Sequence, residues 1–194
     1  MPISRIIFLL FFPACIAILF KQIIWGYELT HQLLASGIFL FCIEQANMAN
    51  QDLQQVADAK VKIKDSRLDN FQRTTIITII IELTGFYLSS IWLGYGSILI
   101  LIGIIWFNLF VKIKIEAQSS DIRIKSWPRT ERSTVLIADV MGLILVSLWI
   151  LKIGYFWISW GLFVMAASYC CIKSFWVFKY FKFVENKRIY ELKK

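Results

Sequence analysis

Residues 74–112 read TTIITIIIELTGFYLSSIWLGYGSILILIGIIWFNLFVK, two apolar runs separated by a short stretch of serine, glycine and aromatic residues. Each run is close to twenty residues, and at about 1.5 Å of helical rise per residue that spans the roughly 30 Å hydrocarbon core of a bilayer. One carboxylate, Glu82, interrupts the first arm and one amide, Asn108, the second. A hairpin of this kind belongs to a membrane protein, and the rest of the chain repeats its pattern.

Working outward, the predicted spans are Ile3 to Ile24, Glu28 to Ile43, Thr74 to Leu93, Gly96 to Ile115, Thr134 to Leu151 and Tyr155 to Ile172. The second is short and carries Glu28, His31 and Gln32 at its start. It reads as a span that continues through Met48, with a re-entrant segment as the alternative. The first run follows Arg5 in the manner of a signal peptide, but Phe12 and Pro13 suit a cleavage box poorly and the run continues through Phe20, so a retained span is expected. The expected fold is an all-α integral membrane protein, with about six transmembrane helices in three antiparallel hairpins and no soluble domain. The hairpins are 3–43, 74–115 and 134–172, the connectors 44–73 and 116–133, and the tail 173–194.

Composition agrees. The chain has 194 residues, 58% hydrophobic and 18% charged, with 16 Phe and 8 Trp, and its mean hydropathy is +0.65. A soluble domain is about half apolar and a quarter charged. An ordinary cytosolic enzyme, a disordered tail, a collagen-like fibre and a disulfide scaffold are excluded.

Charge sets the expected orientation. The net charge is +8, and 19 of the 21 Lys and Arg fall at Arg5, within 44–73, within 112–132 or within 173–194, leaving Lys21 and Lys152 on the opposite face. The positive-inside rule then places both termini in the cytoplasm, in a bacterial inner membrane or a membrane of bacterial descent. The expected partners are the bilayer and its anionic headgroups, with a homo-oligomer or a larger membrane complex also open, and no nucleic acid. The tail interleaves Phe175, Trp176, Phe178, Tyr180 and Phe181 with Lys179 and Lys182. After a membrane span this pattern makes an interfacial helix, with Trp176, Lys179 and Lys182 as lipid-interface residues.

Each outer turn carries a Gly-Tyr pair: Gly26-Tyr27, Gly94-Tyr95 and Gly154-Tyr155. Arg73-Thr74-Thr75 and Arg132-Ser133-Thr134 open the second and third hairpins alike. Internal repetition with a period of sixty to seventy residues is one reading, and the ordinary needs of any membrane hairpin are the other.

Chemistry-bearing groups are few. Cys15, Cys42, Cys170 and Cys171 lie in apolar runs without metal-ligand spacing, so they read as small hydrophobes, with acylation of Cys170 and Cys171 the lesser alternative. His31 reads as interfacial. No phosphate loop, nucleophile elbow or zincin motif occurs, so no enzyme, metal or cofactor is expected. The asparagine and carboxylates within the spans are the candidate ion or substrate ligands: Glu82, Asp139 and Asn108. An ionisable group there costs on the order of 2.5–3.5 kcal/mol, so it faces the bundle interior, a partner or water. Nearby hydroxyls on Thr78, Thr84, Ser89, Ser90, Thr134 and Ser147 suit a proton or hard cation. Two functions follow from this: a proton- or cation-linked transporter or channel using these carboxylates, or a noncatalytic assembly subunit whose acids merely hold helices together.

Overall fold

In a computed structural model the backbone is described for residues 3–26, 28–118 and 121–192, and side chains for 6–7, 9–26, 28–115, 122–173 and 175. The chain is 84% helical. Helix α1 (Ile3–Ile18) runs on through a π-helical turn, Leu19–Ile24, and is followed by α2 (Leu29–Lys62), α3 (Ser66–Ser89), α4 (Leu93–Phe110), strands β1 (Ile113–Gln118) and β2 (Asp121–Ser126), α5 (Arg129–Ile150) and α6 (Tyr155–Leu192).

Three helices are long and apolar enough to cross a membrane: α4, α5 and the 155–173 portion of α6. Along α5 and that part of α6 only 11% and 6% of the positions are buried, so Ile137, Trp157, Met165 and Ile172 stand open at 60% or more. Apolar area on that scale is unsustainable in water and fits lipid. The apolar stretch Leu9–Ile24 is shorter. Helices α2 and α3 lack a run of that quality because their inward faces carry Glu44, Gln45, Thr75, Thr78 and Glu82, all buried. Hydropathy falls where the side chains face one another instead of lipid.

The tightest pairing is α3 with α4. Small residues allow it: a Cβ on Gly96 would lie 2.2 Å from the Ser89 backbone nitrogen, and one on Gly85 2.7 Å from Ile100 Cγ1. Backbones that approach so closely gain dispersion and lose nothing to desolvation in lipid. Gly96→Val should therefore lower the stability of the bundle by about 1–3 kcal/mol, read as an earlier unfolding midpoint in sodium dodecyl sulfate. Gly161→Ala, at a position with nothing within 4 Å, should leave the midpoint unchanged.

Helix α1 packs on α2 and α3, with Phe11 edge-on to Phe86 at 5.7 Å and the Cys15 and Cys42 thiols facing each other. The last two helices part company: α5 lies on α4, α6 lies on α2, and the two meet mainly at their shared turn. There Trp149 stacks on Tyr155 at 4.9 Å and donates its indole N–H to Ser159 Oγ at 2.8 Å. Elsewhere, among the described residues, no hydrogen bond or ring contact joins α5 to α6.

Several expectations change. The fourth run stops at Phe110, not Ile115, because Ile113 and Ile115 belong to a strand. The expected all-α fold gains a sheet: connector 116–133 supplies β2, which pairs antiparallel with β1 so that Ile115 faces Ile124 and Ile113 faces Ser126. The alternation of Ile with Lys or Arg gives the hairpin one apolar face. That face packs, with Trp127, on Val56, Ala59, Leu68 and Phe71, forming a small second core beyond the end of α4. Helix α3 starts at Ser66, eight residues before the expected span, where Asp65 accepts the Arg67 backbone N–H at 2.8 Å as its N-cap.

The Gly-Tyr pairs serve unlike purposes. Gly154, with φ +61°, and Lys152, with φ 59°, make the last reversal. Gly94 lies instead in the first turn of α4, where a Cβ would strike Ile150 Cγ1 at 2.6 Å, and the actual reversal is 90–92. Gly26 sits against the Gln22 carbonyl, and Tyr27 lies outside the described residues. The side chains of Trp176, Lys179 and Lys182 also lie outside them, although the backbone there continues α6.

Candidate functional site

Between α2, α3, α4, α5 and α6 lies a cavity of about 610 Å³. Helix α2 presents to it a face that steps through Gly37, Phe41, Glu44, Met48 and Asp52, the three-and-four spacing of a single helical stripe. Glu82 enters from α3, Asn108 from α4 and Asp139 from α5. The three sequence-derived candidates thus reach one chamber from three helices.

Their settings differ. Glu82 is 3% exposed and accepts no hydrogen bond from any described residue. Its stem fits because Gly103 on the facing helix has no side chain; a Cβ there would lie 3.2 Å from Glu82 Cγ. Asp139 is partnered, accepting from Asn108 Nδ2 at 2.9 Å. Asn108 is therefore the donor that orients Asp139.

The hydroxyls expected as ligands mostly serve their own helices. Thr78, Thr84 and Ser147 each donate to the carbonyl four residues earlier, at 2.8–2.9 Å, and Ser90 donates to Tyr87. Thr134 is exposed, while the Ser89 hydroxyl is buried with no partner among the described residues.

Two further carboxylates, Glu44 and Asp52, line the chamber. Glu44 is 8% exposed and paired with Lys173 of α6, whose ammonium also lies 6.0 Å from the Tyr169 ring. Asp52 lies on the part of α2 beyond the expected span, within electrostatic range of Glu82. Burial pushes its carboxyl up to about 6. The detectable signal was the spacing 44, 48, 52 continuing the stripe of 37 and 41. The polar character of residues 44–73 hides it, because there the stripe no longer lies in an apolar run.

The Asp52 shift has a definite sign. An exposed aspartate in the unfolded chain titrates near about 3.9, so the folded state binds its proton more tightly. The contribution of Asp52 to stability should therefore fall as pH rises from about 4 to about 6, and level off above. Asp52→Asn should flatten that slope in the unfolding midpoint; an unaltered slope would locate the titration elsewhere.

Arg132, near the start of α5, binds the end of α4. It is 4% exposed, and its Nη1 donates to the Asn108 carbonyl at 2.6 Å and to the Val111 carbonyl, with Trp127 5.9 Å from the guanidinium. These are the orphan acceptors at the end of α4. Arg73, its expected counterpart, is exposed, so the two motifs sit in unlike surroundings. At the opposite end His31 is hydrogen-bonded to Gln22, which donates to the Ser90 carbonyl at 2.8 Å. The half-buried histidine thus ties the first turn to the second.

Among the described residues no three His, Cys, Asp or Glu converge on a point that would hold a metal. Comparison with protein families, with curated proteins and with solved structures gives no match.

Proposed function

We propose that the protein is a small multi-pass membrane transporter in which Glu82, supported by Asp139 and its donor Asn108, binds and releases a proton or cation during translocation. In this reading all six helices cross the bilayer, both termini are cytoplasmic, and the membrane is bacterial or of bacterial descent, as the one-sided distribution of Lys and Arg indicates. The observation that carries it is the single chamber lined by Glu82 and Asp139, with Glu82 unpartnered among the described residues. A carboxyl serving only as glue between helices would be hydrogen-bonded across them. An unpartnered acid in an apolar setting is poised to exchange a proton or attract a cation.

The second reading, a noncatalytic assembly subunit, draws on the open apolar faces of α5 and α6, which suit protein as well as lipid. Reconstitution separates the two. Purified protein in liposomes should dissipate an imposed proton or cation gradient faster than protein-free vesicles, and Asp139→Asn should slow it. Background flux from the wild type, together with co-purification of a stoichiometric larger complex, would favour assembly.

A further inference from the structure

The chamber's walls say more about its occupant than its acids alone. At about 610 Å³ it is the size that holds a drug-like molecule. Most of its surface is apolar, with Ile38, Ile104, Leu162 and Met165 among the lining side chains and Phe41 and Phe107 presenting rings. A bare inorganic cation is poorly served there. Such an ion wants several oxygens converging at short range, whereas Glu82 and Asp139 come from different helices, Asp139 is already hydrogen-bonded to Asn108, and no three His, Cys, Asp or Glu meet among the described residues. Most of the ion's coordination would have to be water, held in a chamber with few polar groups to order it.

An organic cation reverses each of these terms. Its own hydrocarbon covers the apolar wall, its diffuse charge needs one counter-ion instead of a shell, and aromatic faces attract it. Charge favours this occupant as well. Among the described residues no cation pairs with Glu82, Asp52 or Asp139, while Lys173 is taken by Glu44. Helices α5 and α6 both line the chamber yet contact each other far less than they contact α4 and α2, and their outer faces are apolar, a setting that suits an amphipathic molecule dissolved in the bilayer. We propose that the chamber is a binding site for a lipophilic organic monocation of the phosphonium or quaternary ammonium class, with Glu82 as its counter-charge. This rests on the transport reading for its use but not for its occupancy.

The test is equilibrium binding of tetraphenylphosphonium to the full-length protein in dodecyl maltoside micelles. Saturable binding at one per chain is expected, weakened at least tenfold in Glu82→Gln and restored in Glu82→Asp, which keeps the charge. Ile104→Trp, which fills the chamber and leaves every acid in place, should weaken it to a similar degree. Sodium chloride should not displace the probe, whereas tetrabutylammonium chloride at the same ionic strength should. Absence of saturable binding, or equal binding by wild type and Glu82→Gln, would overturn the assignment. The two readings fail separately: sodium or proton flux in liposomes without phosphonium binding removes the organic occupant and leaves transport, whereas binding without flux of any of the three removes transport and leaves the site.

Discussion

Liposomes carrying Glu82→Gln are expected to show gradient-driven proton or cation flux reduced at least tenfold, to the level of protein-free vesicles. Glutamine matches glutamate in shape, so the fit of the stem opposite Gly103 is preserved and only the ionisable proton and the negative charge are lost. The same substitution should not weaken the fold. A carboxyl that is 3% exposed and unpartnered among the described residues is a burden on stability, and removing a charge from such a place relieves on the order of 2.5–3.5 kcal/mol at most. The unfolding midpoint in sodium dodecyl sulfate should therefore hold or rise while flux collapses. Stability traded against activity in this way marks a functional group. Full flux in Glu82→Gln would eliminate Glu82 as the carrier, and a lowered midpoint would make it a structural residue.

Arg132→Met should be the most destabilising single change at the end of α4, lowering bundle stability by about 3 kcal/mol. The reason is geometric. Helix α4 ends at Phe110, its final carbonyls have no partner within the helix, and one guanidinium nitrogen from the first turn of α5 reaches the carbonyls of Asn108 and Val111. A hydrogen bond from a charged donor contributes about 1.5–3 kcal/mol, and each buried acceptor left unpaired costs a similar amount. Methionine keeps much of the packing volume against Trp127, so the loss reports the missing donor. Arg132→Lys, which offers one compact ammonium in place of a planar fork, should recover part of it. A wild-type midpoint in Arg132→Met would mean that water satisfies the α4 carbonyls.

Much of the helical plan was legible because lipid makes length and hydropathy informative together. The three helices apolar enough to cross a membrane overlap the fourth, fifth and sixth predicted runs, and α2 does extend through Met48 and on to Lys62. What escaped was decided by contacts instead of solvent. The hairpin at 113–126 alternates Ile with Lys or Arg at 113–115 and 122–125, yet its first isoleucines continue the apolar run that precedes them and read as part of a twenty-residue span. Gly94 sits beside a tyrosine near a reversal and reads as a turn residue; only the approach of Ile150 reveals it as a contact between α4 and α5. Glu82 and Asp139 were visible because each stands alone in an apolar run. Arg132 was counted among the basic residues of a connector because nothing local marks a side chain that serves the helix before its own.

The divergence of α5 and α6 also governs how the chain is assembled during synthesis. Helix α5 can settle on α4 as soon as it is made, but α6 must return to α2, laid down more than a hundred residues earlier. Until Lys173 leaves the ribosome, Glu44 has no ionic partner among the described residues and one wall of the interior is missing. Contacts so distant in sequence form late and slowly. The nascent chain therefore carries an unfinished polar seam through most of its insertion, the interval in which a chaperone or quality-control protease would meet it.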